Sequence, residues 1–248
     1  MKPLKISKIL ESKDPIMHIY RYAKRHTLSK NIETIFINLC EKNKNYNMLI
    51  RYTLRACKRI KRIEDILYNK PHWAYLYVID VKKRRWKKAE PYIMKDSQYA
   101  YLYAKNVIRG RWKKAEPYIM KATWCTYDYA RYIIKNRWPE AEPIIMKDPY
   151  YTCVYTNNII GERWLEVEPI IMKDPYCAYV YARNIIKGRW LEAETIIMKD
   201  MNAAYHYAKN IIKSRWLEAE PYIIKDKNHW NEYKKIFKNE FLNGGNNE

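Results

Sequence analysis

The sequence predicts an all-α protein, an α-solenoid of stacked two-helix repeats that is elongated and curved, on three observations. A tryptophan returns every 26 residues, at Trp86, Trp112, Trp138, Trp164, Trp190 and Trp216, and each opens a near copy of one peptide. Within each copy prolines and aspartates sit where helices begin, dividing the unit into a short helix and a longer one. Composition agrees: 25 Tyr stand against 3 Phe and 5 Gly, and tyrosine suits a stack two helix layers deep, where its ring buries while its hydroxyl finds a partner or water. A unit this short cannot bury its own apolar face and must stack on its neighbours.

The elements follow in order. Residues 1–59 read as diverged, basic helical repeats: Asp14-Pro15 followed by Tyr20, Tyr22 and Ala23 marks a second helix, and 31–59 holds one further unit. Residues 60–85 form a degenerate repeat, with Ile63, Ile66 and Leu67 on its first helix and Pro71, Ala74 and Tyr77 on its second. Residues 86–215 are five clear repeats. Their first helix starts near the Trp, carries acidic residues where the helix dipole favours them, and is confined by Pro91, Pro117, Pro143 and Pro169 to about two turns. Ala141 and Ile145 exemplify its core stripe, with Met146 filling gaps. At Lys147-Asp148-Pro149 and Lys173-Asp174-Pro175 a helix-ending cation, an N-cap and a first-position proline start the second helix. That helix buries Ala178, Ala182, Ile185 and Ile186 between Tyr179 and Tyr181, and a left-handed residue is expected to end it at Gly110, Asn136, Gly188 or Ser214. Residues 216–242 read as a capping repeat, because Trp230, Asn231 and Lys234 replace small and apolar positions. Residues 243–248 read as a disordered tail.

Units of the form GRWxEAEPIIMKDPxxAYxYAxNIIKG, from Arg85 to about Asp226, resemble the aromatic-rich tandem helical repeats of proteins from phages and other large DNA viruses. The resemblance implies a viral source and a helical-repeat fold, and it implies no activity.

Charge and chemistry narrow the function. The net charge of +21 is uneven: Lys+Arg against Asp+Glu is 21 to 7 over residues 1–85, 14 to 8 over 86–163 and 13 to 12 over 164–248. A polyanion would therefore dock near the start of the array. Five cysteines without a CxxC pair point to free thiols in a reducing compartment rather than to disulfides or zinc. Neither a signal peptide nor a membrane span is expected, which places the chain inside a host cell, in cytoplasm or nucleus. No catalytic motif is present, the five histidines are dispersed, and no enzyme activity, cofactor, metal or small-molecule substrate is expected. The Arg row before each Trp and the Glu row four places after it read as a structural pairing repeated with every unit.

Two surfaces remain as candidates. On the second helix, places where the copies disagree are released from packing. They share one face by spacing and supply a protein-binding surface of Gln98, Trp124, Asp128, Arg131, Tyr150, Val154, Tyr176, Arg183 and His206. The alternative is a nucleic-acid site on Arg51, Arg55, Lys58, Arg59, Lys61, Arg62, Lys82, Lys83 and Arg84, with Arg51, Arg55, Lys58 and Arg62 on one side of a helix as a phosphate track.

Overall fold

The computed structural model describes residues 7, 9 and 11–243, all of them helical, turn or irregular, without a strand among them. The expected tail at 244–248 lies outside the described residues, while Asn243 closes the last helix. The fold is an all-α solenoid of paired helices, in two compact units, Met1–Ile119 and Met120–Glu248.

The first unit holds α1 (Pro15–Ala23), α2 (Lys30–Lys42), α3 (Tyr46–Ala56), α4 (Lys61–Leu67), α5 (Pro71–Tyr77), α6 (Glu90–Ile93), α7 (Ser97–Tyr103) and α8 (Glu116–Ile119). Asp14 caps α1 by accepting the Met17 N–H, with Pro15 in the first turn. The stretch 31–59 holds α2 from its second residue and all of α3, both longer than the helices that follow in this unit. Ile19, Phe36, Leu49, Ile63, Leu67, Ala74 and Tyr77 are among the fully buried side chains of the first unit.

The second unit holds α9 (Thr123–Tyr129), α10 (Glu142–Ile145), α11 (Pro149–Tyr155), α12 (Glu168–Ile171), α13 (Pro175–Tyr181), α14 (Leu191–Ile197), α15 (Met201–Tyr207), α16 (Glu220–Ile223), α17 (Lys227–Ile236) and α18 (Lys238–Asn243). Consecutive second helices α9, α11, α13, α15 and α17 pack side by side. Asp148, Asp174, Asp200 and Asp226 each accept a backbone N–H from the opening turn of their helix, with proline following in the first two, as expected of an Asp N-cap.

Proline decides the form of the first helix. In the copies at 139–145 and 165–171 a three-residue 3-10 turn precedes a four-residue α-helix whose second residue is the proline. Where Thr195 replaces it, α14 runs unbroken from Leu191 to Ile197, because the N–H and the ring clearance that proline denies are restored.

The end of the second helix departs from expectation. Six of the second helices, all but α17 from residue 71 onward, finish in a five-residue π turn: Val78–Lys82, Ala104–Ile108, Ala130–Ile134, Thr156–Ile160, Ala182–Ile186 and Ala208–Ile212. The wider turn moves the left-handed residue one place earlier than expected. It falls on Lys83, Arg109, Lys135, Gly161, Lys187 and Lys213, at φ between 54° and 74°, and not on Gly110, Asn136, Gly188 or Ser214. Its N–H closes the turn five residues back, as Lys135 does on the Ala130 carbonyl at 2.7 Å.

All six repeat tryptophans are buried, none more than 8% exposed, together with the alanines and isoleucines of the first-helix stripe. Ile185 and Ile186 are only half-buried, and Tyr181 lies wholly in the core instead of beside it. At the carboxy-terminal end, Phe237 and Phe241 stand against Tyr233, at 4.8 and 6.2 Å between ring centroids. They occupy the place that the next tryptophan takes in earlier repeats. The Arg215 guanidinium covers Phe241 at 3.8 Å, and this sealing is the work of α18, which the repeat pattern did not foretell.

Candidate functional surface

One four-group network recurs and must be separated from function. Arg85 grips Glu90 with two hydrogen bonds of 2.9 and 2.8 Å. Tyr103 donates to the same carboxylate at 3.2 Å and accepts the Trp86 backbone N–H at 2.7 Å. The pattern repeats in the copies carrying Tyr155, Tyr181, Tyr207 and Tyr233. The rings of Tyr103, Tyr155, Tyr181 and Tyr207 also meet the indole of the following repeat, as Tyr181 meets Trp190 at 5.2 Å. The hydroxyl thus closes its own repeat while the ring joins the next. Burial above all, with the nearby glutamate adding and the Trp N–H donation subtracting, pushes the Tyr155 and Tyr233 hydroxyls up to about 12. The Arg and Glu rows are therefore absorbed in architecture, as their periodicity implied.

A second layer orders the second helices. Asn158 and Asn210 donate to the hydroxyls of Tyr127 and Tyr179 on the preceding second helix, at 2.9 Å each. Arg131 and Arg183 reach the same hydroxyls from four residues along, at 2.8 and 3.2 Å.

On this framework the expected protein-binding residues divide. Gln98 is exposed on α7 of the first unit; the others belong to the second unit. There Tyr150 is 58% exposed, Tyr176 48% and Trp124 38%, on neighbouring helices α11, α13 and α9. Arg131 and Arg183 are exposed beside them, and Asp128 and Val154 are half-buried. His206 is half-buried as well, stacked on Tyr179 at 5.9 Å; burial first, then the positive field of His229, Lys209 and Arg183, lowers its pKa.

The expected phosphate track does not form. α3 ends at Ala56 and Cys57 takes a left-handed conformation, so Lys58 lies off the helix and Arg62 belongs to α4. Four of the cations are also engaged: Lys58 with Glu33 at 3.3 Å, Arg59 with Glu64 at 2.7 Å, Arg55 with the Lys24 carbonyl and Arg62 with Asn38. Lys82 is buried, 3.2 Å from Glu64 and over the Trp86 ring, and burial chiefly lowers its pKa. Arg51, Lys61, Lys83 and Arg84 stay exposed.

Two features escaped the sequence reading. Leu165, Leu191 and Leu217, each directly after a buried Trp, form an exposed apolar row at the first-helix openings of the second unit. The corresponding places in the first unit are Lys87 and Lys113, and they line a cleft with Arg85, Arg111 and Lys114. Comparing the residue after each Trp across copies would have disclosed both. Among the described residues no group of three His, Cys, Asp or Glu could hold a metal, and no helix is long and apolar enough to cross a membrane. Compared with family models, curated proteins and solved structures, the chain matches none of them.

Proposed function

We propose that the chain is a non-enzymatic helical-repeat scaffold that binds a protein, viral or of the host cell, along the second-helix face of its second unit. The observation that carries the reading is the exposure of Tyr150 and Tyr176 at a register that packing does not reserve for aromatics: Gln98 and Asn202 occupy it in other copies with the same seven-residue helix and π turn. Tyrosine with neighbouring arginine is the composition of interface hot spots, since large rings bury much area at small entropic cost. Arg131 and Arg183 are held beside the rings by tyrosine hydroxyls, which lowers the cost of ordering them on binding. The viral part rests on the sequence resemblance, and the intracellular part on the unpaired cysteine pattern of the sequence.

The test is affinity capture from host lysate with the wild-type chain, with Tyr150→Ala/Tyr176→Ala, and with Leu165→Gln/Leu191→Gln. Loss of the tyrosines should weaken capture about tenfold or more, equivalent to about 1.4 kcal/mol. The leucine variant should retain it. The reverse result would move the interface to the leucine row and overturn the proposal.

A further inference from the structure

Six loops join a second helix to the next first helix on one scaffold, and their charges differ. Residues 83–88 hold five cations and 109–114 hold four, without an acid. Residues 135–140, 187–192 and 213–218 hold two cations and one acid each, and 161–166 hold one cation and two acids. A compositional drift toward lysine would touch all six alike. Here the excess is confined to two adjacent loops of the first unit.

The fold does not require these cations. At the two places after Trp, Lys87-Lys88 and Lys113-Lys114 stand where later copies carry Pro139-Glu140, Leu165-Glu166, Leu191-Glu192 and Leu217-Glu218. They open the first helix, where the dipole favours the acids of the later copies and disfavours lysine. Lys83 and Arg109 take the left-handed backbone at φ 54° and 59°, which glycine, as in Gly161, adopts without the steric cost. A left-handed cation recurs at Lys135, Lys187 and Lys213, but the first-turn lysines are peculiar to these two loops; there stability is forgone to keep a positive charge, which points to function.

The two loops line two clefts together. Lys83, Arg109 and Asn106 border one of about 490 Å³ over Val78, Ile79 and Val107. Lys87, Lys113 and Lys114 border another of about 600 Å³ over Pro91 and Met94, with Arg85 and Arg111 held by Glu90 and Glu116. Lys88 is tied to Asp65 at 2.6 Å and is not counted. Several cations beside an apolar floor suit a ligand that is both polyanionic and flat-faced.

We infer that these loops bind the phosphodiester backbone of single-stranded nucleic acid, with bases against the apolar floors, at a site separate from the protein-binding face. Five phosphate contacts, from Lys83, Lys87, Arg109, Lys113 and Lys114, give a salt slope of about −3.5, so affinity falls about 100-fold between about 50 and about 200 mM salt.

Fluorescence anisotropy with a labelled oligothymidylate of about 20 nucleotides tests this on the full chain. The variant Lys83→Gly/Lys87→Leu/Arg109→Gly/Lys113→Leu/Lys114→Glu takes residues that other copies carry, so its helical circular dichroism should match the wild type. It should lose most of the slope and more than tenfold in affinity at low salt. The control Lys30→Gln/Lys42→Gln/Arg51→Gln/Lys61→Gln removes four cations elsewhere in the same unit and should stay within about threefold. Absence of wild-type binding at low salt, or equal losses in both variants, would overturn the site. Equal affinity for polyglutamate of the same charge would overturn its assignment to nucleic acid. Tyr150→Ala/Tyr176→Ala should leave oligonucleotide binding intact, which separates failure here from failure of the protein-binding reading.

Discussion

At the scale of single residues, the seam tyrosine does the most. Its hydroxyl serves two groups of its own repeat, the Trp N–H and the Glu carboxylate, and its ring serves the next indole. The sequence exposes the tyrosine excess but hides this duty, because the partners stand 17 and 13 residues away on another helix and no local periodicity links them. The network also sets a pH limit. Unfolded tyrosines ionise near pH 10, whereas Tyr155 and Tyr233 hold their protons to about 12, and Tyr77, Tyr103 and Tyr207 are also raised, mainly by burial. Between those values the unfolded chain binds fewer protons than the folded one. Stability is therefore full below pH 10 and falls as pH rises through the window. In an alkaline titration the seam tyrosines should ionise only in step with loss of the helical circular dichroism signal. A single tyrosinate transition near pH 10 with intact helix would contradict the account.

At the scale of elements, starts were more legible than ends. An Asp-Pro pair names its own cap and first turn, and α11 and α13 begin where that chemistry places them. The π turn leaves no comparable mark, since its register is set by backbone hydrogen bonds and by the burial of Ala182 and Tyr181 ahead of it. Glycine was expected to carry the left-handed cap because only glycine does so at no steric cost. The chain instead gives that place to lysine or arginine in five copies, Lys83, Arg109, Lys135, Lys187 and Lys213, and to glycine only at Gly161. Each L-residue in this conformation costs about 1 kcal/mol, so Lys187→Gly, whose charge lies outside the proposed nucleic-acid site, should stabilise the chain. The expected gain is about 0.5 kcal/mol, reduced from the full cost because glycine loosens the unfolded chain and the helix end loses a favourable cation. Gly161→Ala should destabilise by about 1 kcal/mol; its added methyl meets no atom within 4 Å, which leaves backbone conformation as the sole cause. Denaturant midpoints of the two variants, moving in opposite directions, check both signs.

At the scale of the whole chain, the repeat made architecture readable and function hard to read, for one reason. Six copies of Arg, Trp and Glu announce what packing needs, and the buried indoles answer to it; only departures from the pattern can carry function. Two such departures, the aromatics at 124, 150 and 176 and the loop cations at 83–88 and 109–114, lie on different units, so the first unit differs from the second in charge while sharing its framework. The basic run at 51–62 was misleading because Lys58 and Arg59 neutralise acids, a pairing of connecting-segment cations with helix carboxylates that spacing along one helix cannot show. A framework whose contacts reach only the adjacent repeat should also have additive energetics beyond that range. Tyr155→Phe and Tyr207→Phe each leave a buried Trp N–H without its acceptor, at a cost of about 1–3 kcal/mol. Tyr155 touches Trp138, Glu142 and Trp164, whereas Tyr207 touches Trp190, Glu194 and Trp216. With no shared partner, the double variant should equal the sum of the singles within about 0.5 kcal/mol. Glu168→Ala combined with Tyr181→Phe strikes two side chains joined by a 3.3 Å hydrogen bond and should deviate from additivity by more than about 0.5 kcal/mol. Equal coupling in both pairs, measured by equilibrium unfolding, would show that energy spreads along the stack beyond the adjacent repeat, and the nearest-neighbour account of this chain would fail.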